Sequence, residues 1–158
     1  MAATYNNLYL DARKRLREAG VEGAQLEARE LVCCAAGKSR EQFYRDMALY
    51  ASDPVEEKLA ELLERRLAGE PVAYLIGEWE FYGLGLDITP DVLIPRMDTE
   101  VLAERAILLA RAAGEGARVL DLCAGSGCVG LAVAANVPGC RVVLADVSEA
   151  ALRLCKQN

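Results

Sequence analysis

The chain has 158 residues, 53% hydrophobic and 27% charged, with a net charge of −6 and no histidine. That composition is globular. The lack of histidine removes Ser-His and Cys-His nucleophile pairs, and the acidic balance argues against direct nucleic-acid binding.

Residues 4–19 read as an amphipathic helix, with Tyr5, Leu8, Ala12, Leu16 and Ala19 recurring at three- and four-residue steps. Arg13, Lys14, Arg15 and Arg17 fall mostly on the other side and read as a solvated face. Gly20 stops this helix. Residues 24–36 form a second helix, with Ala28, Leu31, Val32 and Ala35 inward and Gly37 as its stop. Ser39 is placed to cap a short third helix, with Gln42 completing a capping box. Asp53-Pro54 opens a fourth, whose stripe is Val55, Leu59, Leu62, Leu63 and Leu67. Residues 1–70 are thus predicted to be a helical domain without visible catalytic groups, of the kind that recognises a partner or supports its neighbour.

The pattern changes at Gly69-Glu70-Pro71, and residues 71–97 read as a linker. A helical turn through Tyr74, Leu75 and Ile76 precedes two alternating stretches, 78–82 and 86–88, with Gly83 and Gly85 bracketing the turn of a β-hairpin. Trp79, Phe81 and Tyr82 gather there; a hydrophobic hinge core between two domains is favoured over a base-stacking platform. Pro95 biases Ile94 to an extended conformation. Asp98 or Thr99 is expected to cap a helix running to about residue 112. Arg96, a single cation ahead of that helix, suits holding a carboxylate or clamping the next domain. Residues 98–158 then begin a second domain.

The six cysteines, Cys33, Cys34, Cys123, Cys128, Cys140 and Cys155, form no CxxC pair. A zinc site would need four thiolates at awkward spacings, so no metal is expected. Reduced thiols and a cytoplasmic setting are the expectation. The apolar runs are broken by Gly, Asn or charge, so neither a signal peptide nor a membrane span is expected.

The second domain centres on residues 118–146. An apolar run carrying Asp121 leads into the turn Ala124-Gly125-Ser126-Gly127. A small-residue helix follows from 129 to 135, and a second apolar run ends on Asp146. This is the opening βαβ unit of a nucleotide-binding sheet. Glycines let the turn backbone approach a ligand, and the helix start offers free N–H groups. Asp146 lies 19 residues after Gly127, near the spacing at which an acid accepts ribose hydroxyls. Gly125-x-Gly127-x-x-Gly130 also fits a dinucleotide fingerprint, so a nicotinamide oxidoreductase stays open. Charge favours S-adenosylmethionine: Asp121 would repel a pyrophosphate but attract a cationic amino-acid group. The plainer reading is that Asp121 caps or orients the turn.

The run GEPVAYLIGEWEFYGLGLDITPDVLIPRMDTE at 69–100 resembles HemK/PrmC-type peptide chain release factor glutamine methyltransferases, whose pattern joins a GEP segment, an E-F hairpin and an IPRPDTE loop. VLDLCAGSG at 119–127 resembles their methyl-donor motif, and LEARELV at 26–32 their N-terminal domain. The resemblance implies an α/β protein: a helical bundle, a β-hairpin linker, and the first βαβ portion of a Rossmann-like methyltransferase sheet, incomplete here. It implies S-adenosylmethionine as cofactor and class 1 release factors as partners, methylated on the glutamine of Gly-Gly-Gln. By position it assigns donor binding to Asp121, Cys123, Ala124, Gly125, Ser126, Gly127 and Asp146, and an adjoining loop to Pro95, Arg96 and Thr99. A ribosomal-protein glutamine methyltransferase and a non-catalytic release-factor-binding module are the alternatives.

Cys123 replaces the family's first turn glycine and Met97 its loop proline. The family's Asn-Pro-Pro-Tyr segment, which orients the amide nitrogen, does not occur in residues 1–158. These residues alone are therefore assigned no catalytic group and are expected not to methylate. Two parallel strands also lack the neighbours that bury such a sheet. Residues 115–158 are accordingly expected to be poorly packed, self-associating, or part of a longer protein.

Overall fold

The computed structural model describes residues 3–158. They divide into two compact units between Ile76 and Gly77. The short helix foreseen as part of the linker therefore belongs to the first unit, and the hairpin to the second.

The first unit contains α1 (Tyr5–Glu18), α2 (Ala24–Ala36), α3 (Arg40–Asp46), α4 (Asp53–Leu67) and α5 (Val72–Ile76). Local chemistry sets their ends. The Thr4 hydroxyl accepts the Asn7 N–H at 3.2 Å. The capping box at Ser39 forms in both directions, with Gln42 N–H on Ser39 Oγ at 3.2 Å and Ser39 N–H on Gln42 Oε1 at 2.8 Å. Gly37 closes α2 in the left-handed conformation, φ +61°. Helix α2 is the centre of the unit and packs against all four others. Its Ala28, Leu31 and Val32 have no exposed surface, and Leu16 of α1, Phe43 of α3, Leu59, Leu62 and Leu63 of α4, and Ala73 of α5 are buried as well. Burying a side chain such as Leu contributes about 1.5–3 kcal/mol. Asp46 is buried at the end of α3, between Lys38 Nζ at 2.8 Å and Arg45 Nε at 2.9 Å. Those two cations hold its carboxyl well below the usual carboxylate range, Arg45 contributing most.

The second unit opens with the antiparallel hairpin β1 (Glu78–Phe81) and β2 (Leu84–Asp87), pairing Glu78 with Asp87 and Phe81 with Leu84. The turn is Tyr82-Gly83, both left-handed at φ +50° and +77°. That is the tight two-residue geometry matching strand twist. Gly85, expected to bracket the turn, instead lies inside β2 opposite Glu80.

Helix α6 (Met97–Ala113) begins earlier than expected. Its N-cap is Arg96, and no side chain caps it. This overturns the capping role foreseen for Asp98 or Thr99: both lie inside the first turn, where the Thr99 N–H is bonded to Arg96 O at 3.0 Å. Their neighbour Glu100 reaches back to the hairpin, and its carboxylate accepts the Tyr82 N–H at 2.9 Å.

Strands β3 (Arg118–Leu122) and β4 (Arg141–Ala145) run parallel, Arg118 beside Arg141 and Leu122 beside Ala145, joined through α7 (Cys128–Asn136). Helix α8 (Glu149–Gln157) follows, with the Ser148 hydroxyl accepting the Ala151 N–H at 3.2 Å. Ile107 and Ala110 of α6 pack with Val133 and Val137, and Tyr82, Val119 and Val142 close around them. Side chains alternate along a strand, so Leu120, Leu122 and Val143 point the other way, 64%, 71% and 58% exposed. The second unit is thus an α/β arrangement whose sheet is incomplete, with one face open. No helix among the described residues is long and apolar enough to cross a membrane.

Candidate functional site

The turn between β3 and α7 is built almost wholly from backbone. Cys123 is its first residue, exposed and left-handed at φ +62°. It adopts the conformation a glycine would take, at a cost of about 1–2 kcal/mol for a residue with a Cβ. The Ala124 N–H then bonds to Ala145 O at 3.0 Å, fastening the turn to the end of β4. The Gly127 N–H bonds to Ala124 O at 2.7 Å, and Gly127, at φ +81°, is the N-cap of α7. Ser126 between them is buried.

The three glycines answer to different constraints. A Cβ at Gly125 would meet nothing within 4 Å, so its left-handed φ of +56° is the requirement there and the space beside it is open. At Gly127 a Cβ would come within 3.1 Å of Leu144 Cδ1 and 3.2 Å of Cys155 Sγ. At Gly130 it would collide with Leu144 Cδ2 and sit 3.1 Å from Asp121 Oδ2. Gly130 is therefore fixed by the close approach of α7 to β4.

Both acids singled out in the sequence stand at this turn, each bonded to backbone. Asp121 Oδ2 accepts the Gly130 N–H at 2.8 Å, in the first turn of α7. This is the orienting role considered for it, and it leaves the carboxylate's charge at the turn. Asp146 accepts the Gly125 N–H on Oδ2 at 2.8 Å and the Ser148 N–H on Oδ1 at 2.9 Å. The pKa values move in opposite directions. Burial, followed by the negative charge of Asp146, pushes the Asp121 carboxyl up, against the pull of the Gly130 N–H. The N–H groups of Ser148 and Gly125 hold the Asp146 carboxyl down. Around the turn, the Cys155 thiol donates to Gly125 O at 3.2 Å, and burial raises both its pKa and that of Cys128.

The structure thus draws Asp121, Cys123, Ala124, Gly125, Ser126, Gly127 and Asp146 into one cradle. Pro95, Arg96 and Thr99 stand at the entry to α6, with Pro95 buried and Arg96 exposed. None of the bonds that shape the glycine turn comes from them. Sequence reasoning missed Gly130, Ser148, Cys155 and Asn158 as supports. Only Gly130 left a signal, as the third glycine of the spaced set.

A model of the PrmC N-terminal domain matches residues 7–77. The release factor glutamine methyltransferase of Coxiella burnetii is 40% identical over 134 residues, covering 85% of this chain and 48% of its own. Residues 7–77 belong to the PrmC N-terminal domain family, and the chain is similar over most of its length to release factor glutamine methyltransferases. The Bordetella pertussis enzyme of that name is 45% identical over 85% of this chain and 49% of its own length, and the Vibrio cholerae one 36% identical over 100% and 54%. The chain therefore spans about half the length of the curated relatives it matches. A second model, described as lysine methyltransferase, matches residues 95–158. The PrmC-type N-terminal match covers the helical unit, and the methyltransferase match covers α6 to α8 with the glycine turn.

Proposed function

We propose that this protein takes part in the transfer of a methyl group from S-adenosylmethionine to the glutamine amide of the Gly-Gly-Gln segment in class 1 release factors. On this reading residues 98–158 hold the donor, the helical domain to about residue 76 grips the release factor, and the hairpin joins them. Six free cysteines suit a reducing cytoplasm.

The observation that carries the reading is the Asp121 carboxylate at the glycine turn. A dinucleotide brings a diphosphate to such a turn, and Asp121 opposes it, whereas Asp146 suits the ribose of either ligand. The methyl donor brings a sulfonium and an ammonium, which the Asp121 charge attracts. When bound, S-adenosylmethionine supplies an electrophilic methyl on sulfur. The chain's own residues bind and orient it: Asp146 accepts ribose hydroxyls, the 123–127 backbone lines the amino-acid end, and Asp121 adds charge while fixing α7. The amide nitrogen must be oriented by acceptors to attack, because its lone pair is delocalised into the carbonyl. No acceptor in residues 3–158 is assigned that task.

Calorimetry on the 158-residue chain is the direct test. S-adenosylhomocysteine is expected to give saturable heat, and NADH none. The reverse result would overturn the donor assignment. With a class 1 release factor and radiolabelled donor, residues 1–158 alone are expected to give no signal above blank, whereas a longer protein containing them and the family's Asn-Pro-Pro-Tyr segment should label glutamine.

A further inference from the structure

Asn158 follows α8, far in sequence from both segments it touches. Its Oδ1 accepts the Asp87 N–H at 2.7 Å, and its Nδ2 donates to Asp87 O at 3.2 Å and to Ser126 O at 3.0 Å. A primary amide has two N–H donors and one carbonyl, and all are engaged. Two of the bonds pair it with the backbone at the end of β2, as one more strand residue would pair. The third falls on the turn itself. Ser126 lies between Gly125, whose N–H is bonded to Asp146, and Gly127, the N-cap of α7. Next to it Gln157 Nε2 donates to Asp87 Oδ2 at 2.6 Å, a bond to the hairpin alone.

We propose that Asn158 is a positioning residue for the donor site, clamping the glycine turn to the hairpin and fixing the direction in which the Gly125–Gly127 backbone faces its ligand. The donor consequence rests on the reading of that turn given above; the clamp does not. The chemistry admits few substitutes. Aspartate has the same shape and keeps the bond from the Asp87 N–H, but it sets a charged oxygen against the carbonyls of Asp87 and Ser126. Alanine removes all three bonds without adding repulsion.

The test uses the full 158-residue chain, with S-adenosylhomocysteine binding followed by calorimetry and amide exchange followed at Asp87, Gly127 and Val133. Asn158→Ala is expected to bind about tenfold more weakly, the scale of one to three lost hydrogen bonds. Asn158→Asp should be weaker still. Exchange should quicken at Asp87 and Gly127 while Val133, inside α7, stays protected. Gln157→Ala should bind as the parent does. Unaltered affinity in both Asn158 variants would overturn the proposal. So would loss of Val133 protection in both, which would make Asn158 a folding residue. A parent chain that fails to bind S-adenosylhomocysteine would overturn the donor reading; the clamp would then stand or fall on exchange at Asp87 and Gly127.

Discussion

In the helical unit α2 touches every other helix, and Leu31 and Val32 lose all contact with water. In the sheet unit β3 and β4 turn Val119 and Val142 toward α6 and α7 but leave Leu120, Leu122 and Val143 open. The first is held by interior packing shared among five helices. The second is held on one side only, and much of its definition comes from directed bonds at the glycine turn. An apolar residue in the first unit should therefore matter more than one of equal size on the open strand face of the second.

The strongest challenge to this contrast is Leu31→Ala, expected to cost the helical unit about 2–5 kcal/mol in urea unfolding, the range for a fully buried leucine. A cost near zero would mean that α2 is not its centre. Next is Gly130→Ala. Its methyl would press on Leu144 and on the Asp121 carboxylate, so about 1–3 kcal/mol should be lost. Amide exchange should place the loss in the sheet unit and leave the helical unit untouched. Titration sharpens the comparison further. Asp46 has a depressed folded pKa, so it stabilises the helical unit above the unfolded value of about 4, and that stabilisation is lost as pH falls through the folded pKa. Asp46→Asn should therefore lower the melting temperature at neutral pH, with the gap closing in acid. Asp121, raised by burial, has the opposite sign: its contribution is present in acid and lost as pH rises through its folded value. The smallest effect is expected from Leu122→Ser, within about 0.5 kcal/mol by the same urea measurement, because that side chain is already in water.

The elements whose causes are local were legible in the sequence. The limits of α2, the Ser39–Gln42 capping box and the strand–turn–helix–strand order each depend on nearby residues, and each formed as expected. The start of α6 was misread because Asp98 and Thr99 are good capping types. The backbone enters the helix at Arg96, leaving Glu100 free to bond the hairpin turn. The candidate site divides along the same line. Its residues could be named from glycine spacing and the flanking acids. What each acid touches could not, because the Gly125–Asp146 and Asp87–Asn158 bonds join positions 21 and 71 apart, which only the folded chain brings together.

Cys123 carries a practical consequence. Of the six thiols it is the exposed one, and it sits on the first residue of the glycine turn. A maleimide fluorophore supplied in limiting amount should attach there ahead of the other five. The chain would then hold an optical reporter at the mouth of the glycine turn, placed without engineering a single residue.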